Sequence, residues 1–286
     1  MIDILHYFGL PINMSVQGAR IDEINAIVHW LMLILFVGWG IFFIVSLVKF
    51  RASKNDTADY EGVKSHLSSV LEATVAVIEI VILFGFGFPI WADRVTDVPA
   101  PSEAVHLRVI GQQFAWNIHY PGLDGKFGST SAELVDEQDN PIGLDRSSDN
   151  AADDFYTVNQ FHIPVNQKIR VDLTSKDVIH SFTLPELRVK QDAIPGMTIP
   201  VHFQATMTSE EFLETTVGTA REGRGLEITC AQLCGLGHYR MRGFFTVHDD
   251  EGYQAWLDEQ AEYLEEETGD DDDWGCLLYT SPSPRD

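Results

Sequence analysis

The 286-residue sequence predicts a two-helix transmembrane hairpin followed by an all-β sandwich. Three features point to it: two long apolar runs near the N-terminus, a change of texture after residue 92, and period-two alternation through most of the remainder. Charge divides at the same place, with a net −3 over residues 1–91 and a net −21 over residues 92–286. With 43 acidic against 19 basic side chains, a nucleic-acid surface is excluded and a cationic partner is favoured.

The first run, Val28 to Val48, reads VHWLMLILFVGWGIFFIVSLV and has no charged residue. As a helix it spans about 30 Å, the thickness of a bilayer's hydrocarbon core. The second, Val70 to Trp91, has similar length but carries Glu72 and Glu79. A buried helix of a soluble protein is the alternative; two such runs together, with tryptophans near their ends, favour a membrane. The loop between them holds Lys49, Arg51, Lys54 and Lys64, whereas only Arg20 precedes the first run and Arg94 closely follows the second. By the positive-inside rule the loop is cytoplasmic, and the N-terminus and everything after Trp91 lie outside. The expected location is a bacterial plasma membrane, in preference to a mitochondrial inner membrane. The opening MIDILHYFGLPINMS lacks a basic start and a long apolar core, so the first helix itself is expected to direct insertion. Glu72 and Glu79 lie about 10 Å apart on one helix face, which is expected to pack on protein rather than lipid.

Expected boundaries are an outer segment at 1–25, the hairpin at 26–92, the sandwich at 103–250 and an acidic helix and tail at 251–275. Alternation in AVHLRVIGQQFAWNIHY, KIRVDLTSKDVIHSFTL, TIPVHFQA and GFFTVHD, divided by Pro, Gly and Asn clusters, suggests an antiparallel sandwich or barrel. Asp136 to Asp154 is polar and acidic, hence a surface loop, and Gln254 to about Glu267 is helix-prone. The last eleven residues, 276–286, CLLYTSPSPRD, look like the translation of a sequencing-library adapter and are set aside as a non-native scar that includes Cys276.

Chemistry concentrates in CAQLCGLGHYRM, which places Cys230, Cys234, His238 and Met241 at intervals of four, four and three. Two cysteines outside a membrane could form a disulfide. Here Gly235 and Gly237 release the backbone to curl, and thiolate, thioether and imidazole together are a donor set that favours copper. One more histidine is wanted, and His180, ending the strand-like KDVIHSF at the rim of the sandwich, is the best placed.

At DVIHSFTLPELRVKQDAIPG and CAQLCGLGHYRMRG the chain resembles subunit II of haem-copper cytochrome c oxidase, a likeness that runs from about Pro11 to Leu257. The resemblance implies a cupredoxin-type sandwich carrying a dinuclear copper centre, CuA. It implies that Cys230 and Cys234 bridge the two coppers, that His180 and His238 bind one each, that Met241 is a weak ligand and that Gln232 offers its backbone carbonyl. It also implies electrons received from cytochrome c and passed to haem a of subunit I, with Phe114 and Trp116 where electrons enter and Glu72 at the mouth of a proton pathway. Subunit I, further oxidase subunits, cytochrome c and the membrane are the expected partners. The family commonly has Glu where this sequence has Gln232; an amide brings no charge to a hard cation, so Mg or Mn binding at the subunit I interface is expected to be weakened. A blue-copper site needs a single cysteine, and a quinol-oxidase subunit lacks the ligands altogether. A nitrous-oxide reductase needs a further domain that this chain has no room for. A membrane-anchored copper chaperone or storage protein is the remaining alternative.

Overall fold

The structure is a computed structural model that describes residues 9–269, apart from 56, 58, 59, 62 and 63. The expectations for the first eight residues, for the tail after residue 269 and for the adapter-like segment lie outside the described residues.

Two long helices come first, α1 (Gly18–Lys49) and α2 (Leu67–Thr96). Both are long and apolar enough to cross a bilayer, and the most apolar part of each is entirely uncovered by the rest of the chain. Phe36, Trp39, Phe42 and Phe84 all stand on the surface. The core helix of a soluble protein would be covered, so these surfaces require lipid or a membrane partner as their solvent. A single π-turn at Leu83–Gly87 widens α2 where Gly85 and Gly87 interrupt the larger side chains. α1 begins at Gly18, ten residues ahead of the uncharged run; the added turns hold Arg20, Asp22 and Glu23 and project past the apolar zone. An ion pair between Arg20 and Asp93 joins the outer ends of the two helices.

The outer domain consists of ten strands: β1 (Val105–Gln112), β2 (Ala115–Tyr120), β3 (Phe155–Val158), β4 (Gln160–Pro164), β5 (Lys168–Ser175), β6 (His180–Leu184), β7 (Val189–Ala193), β8 (Ile199–Gln204), β9 (Leu226–Cys230) and β10 (Arg242–His248). They form two five-stranded sheets, in the orders β3-β2-β1-β5-β8 and β4-β10-β9-β6-β7. Alternation works as expected in β5, where Ile169, Val171 and Leu173 point inward between polar neighbours. Trp116, Ile118, Phe161, Phe182 and Phe203 fill the space between the sheets. The sheets are not purely antiparallel, because β1 runs parallel to β5 and β10 parallel to β4. Period-two patterning marks which face of a strand is buried but not which neighbour it takes, so these pairings leave no local signature.

Residues 136–154 do form a loop, but not a wholly solvated one. Ile142, Leu144 and Ala151 make a small buried cluster with Ile110 and Tyr156 beneath them. Three apolar side chains among so many acids carry no periodicity, which is why the segment reads as surface.

The segment before α1 is held on the sandwich. Met14 N–H donates to the Glu186 carbonyl at 2.8 Å, the Ser15 hydroxyl to the Leu187 carbonyl at 2.9 Å and Gln17 Nε2 to the same carbonyl at 2.8 Å. Arg188 closes the joint. Its Nε and Nη2 reach the two oxygens of Asp22 at 2.7 and 2.9 Å, and its remaining donors go to the carbonyls of Pro185 and Pro11, both at 2.6 Å.

Two shorter helices complete the domain, α3 (Ser209–Thr216) and α4 (Asp250–Gly269). Trp256 of α4 stacks on His162 with ring centroids 4.3 Å apart, and His162 Nδ1 lies 2.8 Å from His248 Nε2. Burial, then the neighbouring His248, lower the His162 pKa from its ordinary 6.5 to about 4. The unfolded chain therefore takes up this proton first as pH falls. The neutral ring's contribution is full above about pH 6.5, declines through the interval down to about 4 and is gone below it, about 3 kcal/mol in all. Thermal unfolding of the full chain between pH 7 and 4 is expected to show this acid loss, with a visibly shallower slope in His162→Gln. Equal slopes in the two chains would count against it.

Candidate metal centre

Strand ends bring the donors together. β9 finishes at Cys230, β10 begins at Arg242, and β6, which begins at His180, pairs with β9 through Phe182 opposite Cys230. The connection from Cys230 to Met241 thus curls over the rim where His180 emerges. It is pinned at its base by Ala231 N–H to the Ser181 carbonyl at 3.1 Å and tightened by a 3-10 turn at His238–Arg240.

Gly235 and Gly237 permit the curl in different ways. Gly235 has φ +132°, a conformation that L side chains rarely adopt, while a Cβ on Gly237 would lie 2.4 Å from the Phe114 ring. Phe114 is packed against the loop from the β1–β2 hairpin, and Gln113 beside it donates from Nε2 to the Cys234 carbonyl at 2.6 Å.

The sulfurs of Cys230 and Cys234 are 3.8 Å apart and both cysteines are free. That spacing is too long for a disulfide bond and short enough for one ion to touch both sulfurs. Cys230 Sγ lies 3.9 Å from His180 Nδ1 and 3.2 Å from the Gln232 carbonyl oxygen. Cys234 Sγ lies 3.6 Å from His238 Nδ1 and 3.6 Å from Met241 Sδ. Each thiol therefore has its own imidazole, and all six groups expected at the site are brought together. His180, Cys234 and Met241 are buried, Cys230 is half-buried, and the Gln232 side chain is exposed.

His180 is oriented from behind. Its Nε2 is 2.8 Å from Asp177 Oδ1, and Asp177 Oδ2 accepts the backbone N–H of Gln113 at 2.7 Å. A carboxylate holding the Nε2 proton leaves the Nδ1 lone pair directed at the sulfurs, the arrangement expected behind a metal-binding histidine. Neither Asp177 nor Gln113 was anticipated from the sequence; the only trace of Asp177 is a carboxylate three residues ahead of the histidine in KDVIH.

The two thiols ionise unequally. Burial raises Cys230, but hydrogen bonds from His180 and from the neighbouring backbone outweigh it and bring the group to about 6. Burial and the charge on Cys230 push Cys234 up to about 11. His180 moves upward: burial opposes the shift, and Cys230 and Asp177 overcome it. One thiolate is thus available at neutral pH, and a soft cation that binds both sulfurs displaces the second proton.

Trp116, expected at the surface route for electrons, is buried, with its ring 5.9 Å from that of His180 and 5.4 Å from Phe182. Phe114 lies nearer the surface, against the loop. Glu72 and Glu79 stand exposed on α2, far along the chain from this centre.

Residues 105–244 match the family described as cytochrome c oxidase subunit II, periplasmic domain. The alternative cytochrome c oxidase subunit 2 of Bradyrhizobium diazoefficiens is 29% identical over 244 residues, covering 85% of this chain and 81% of that protein. Cytochrome c oxidase subunit 2 of Thermostichus vulcanus is 31% identical over 160 residues, covering 56% of this chain and 35% of that one. Among solved structures, the periplasmic domain of subunit II of cytochrome oxidase of Bradyrhizobium japonicum is 28% identical, covering 58% of this chain and 99% of that chain, with a TM-score of 0.38. Residues 105–244 thus carry the periplasmic-domain pattern of the cytochrome c oxidase subunit II family, and the similarity to its subunit 2 relatives extends over most of the chain.

Proposed function

We propose that Cys230, Cys234, His180, His238, Met241 and the Gln232 carbonyl hold a dinuclear CuA centre, which takes single electrons from a cytochrome c for transfer to haem a of subunit I. One observation carries this reading: two thiols 3.8 Å apart, each beside a different imidazole Nδ1. A mononuclear blue-copper site would need only one of the thiols. When bound, dinuclear copper would supply a one-electron acceptor, with Cys230 and Cys234 as its thiolate donors. The protein's part is to hold that donor set rigid. Asp177 fixes the tautomer of His180, Gln113 fixes the loop through the Cys234 carbonyl, and burial of Cys234 and Met241 keeps water from the sulfurs.

The surroundings fit delivery to a membrane partner. Leu233, Leu236 and Tyr239 project from the loop, with Leu236 97% exposed, and such an apolar rim matches a protein contact. Phe114, at the edge of the loop, is the nearer of the two aromatic residues to an incoming donor. Oxygen reduction and proton pumping would belong to subunit I, and Glu72, early in α2 and after the basic loop, would stand at the cytoplasmic side where a proton path begins.

The net −21 of residues 92–286 should steer a basic cytochrome c to the domain. Stopped-flow oxidation of reduced cytochrome c by the complete oxidase is expected to slow several-fold as ionic strength rises past the physiological range, where exposed charges are screened beyond about 8 Å. A rate indifferent to salt would argue for a neutral or tethered donor, and absence of any electron transfer would sink the reading itself.

A further inference from the structure

A cavity of about 320 Å³ lies where the outer ends of α1 and α2 meet β5 and β8. It sits at the Lys168 end of β5, seven residues or about 23 Å from Ser175, whose end of the strand adjoins Asp177 and the metal centre. Its charged and titratable lining is Arg20, Arg94, Lys168, His202, Asp93 and Asp97. In a chain of net charge −24, three cations converging on one cavity against two carboxylates is a reversal of the prevailing sign.

The cations are not used up internally. Arg20 pairs with Asp93, but Arg94 makes no ion pair among the described residues and spends Nη1 on the His202 carbonyl at 3.0 Å. Lys168 is exposed and has no ion-pair partner among the described residues. His202 presents a buried Nε2 with no hydrogen-bond partner. Burial and the nearby Arg94 lower its pKa, with hydrogen bonds of the ring to the backbone at Arg94 and Asp93 opposing, so the ring adds little charge to the cavity.

The position selects the ligand. Arg94 is three residues, about 4.5 Å of helix rise, beyond Trp91, the exposed tryptophan that ends the apolar stretch of α2. That is the depth of phospholipid headgroups, and Ile21 and Ile90 give the cavity apolar walls. A guanidinium with free donors and an ammonium around a roomy, half-apolar space suit a phosphate joined to an apolar chain.

We propose that this cavity holds the phosphate of an anionic phospholipid of the outer leaflet, with Arg94 and Lys168 as its charged donors. The bound lipid would sit under the sandwich like a washer, filling the gap between the helix ends and the β5–β8 edge. The proposal rests on the helices spanning a bilayer, with the sandwich outside.

The full chain in its detergent-purified oxidase complex, stripped of loose lipid, would be equilibrated separately with phosphatidylglycerol and with inorganic phosphate and weighed by native mass spectrometry. One tightly retained phosphatidylglycerol per chain is expected. Retention should fall roughly tenfold or more in Arg94→Gln/Lys168→Gln, the scale of losing a charge-assisted hydrogen bond, with copper content unchanged. Lys168→Gln alone alters only an exposed side chain and should weaken retention in the same direction, which guards against a folding defect at Arg94. Equal retention by the original and both variants overturns the site, and uptake of inorganic phosphate without lipid overturns the lipid assignment. Extraction of membranes with alkaline carbonate separates the two levels: release of the chain would break the spanning reading, whereas a retained chain without bound lipid would break only the proposal.

Discussion

A chain carrying Cys234→Ser is expected to fold, to lose at least half of its copper and to show no mixed-valence signal. Cys234 Sγ lies within 3.6–3.8 Å of three other donors, those of Cys230, His238 and Met241, so it is the hub of the cluster. A serine hydroxyl stays protonated at neutral pH and is a hard oxygen, poorly matched to copper beside imidazole and thioether. His180, Cys230 and the Gln232 carbonyl would remain and could hold at most a single ion. The hydroxyl would be buried where the sulfur was, a modest cost of about 1–3 kcal/mol, small against the stability of a ten-stranded domain. Metal analysis and electron paramagnetic resonance decide it. Two coppers per chain with the signal intact would remove Cys234 from the ligand set.

Asp22→Ala should be the most destabilising change remote from the metal, by about 3–5 kcal/mol. The Arg188 and Asp22 side chains are only 7% and 2% exposed, so removing the carboxylate strands a guanidinium away from water. The geometry is two-pronged, with separate nitrogens on separate oxygens, and Arg188→Lys would keep the charge but not the fork. Loss should appear as a lower melting temperature of the full chain in detergent. Because the pair joins α1 to the β6–β7 corner, limited proteolysis near residues 11–17 should also accelerate. A change below about 1 kcal/mol, the range of an exposed pair, would show the joint to be incidental.

Much of this molecule could be read from its residues. The helices announce themselves by uncharged length, the strands by alternation, and the metal loop by four soft donors set around two glycines. His180 was within reach because its strand register put it at a rim. What escaped is contact between distant segments. Asp22 and Arg188 are 166 positions apart, and neither is unusual in its own neighbourhood. Gln113 reaches the Cys234 carbonyl across 121 positions, and the parallel neighbours β1 and β5 are chosen by the three-dimensional packing of two sheets. Local patterns report which face of an element is buried; they are silent about what covers it. Residues 136–154 show the converse, since a few apolar side chains suffice to anchor a segment whose composition is that of a surface.

The bonds from Met14, Ser15 and Gln17 to residues between Glu186 and Thr206 also order events in time. These groups leave the ribosome about 170–190 residues ahead of their partners, some 10–40 seconds at ordinary synthesis rates. During that interval α1 and α2 have been made, while the segment before α1 waits without its counterpart. Closure of the outer domain onto that segment is therefore a late step, one that cannot precede delivery of the second helix and of most of the strands.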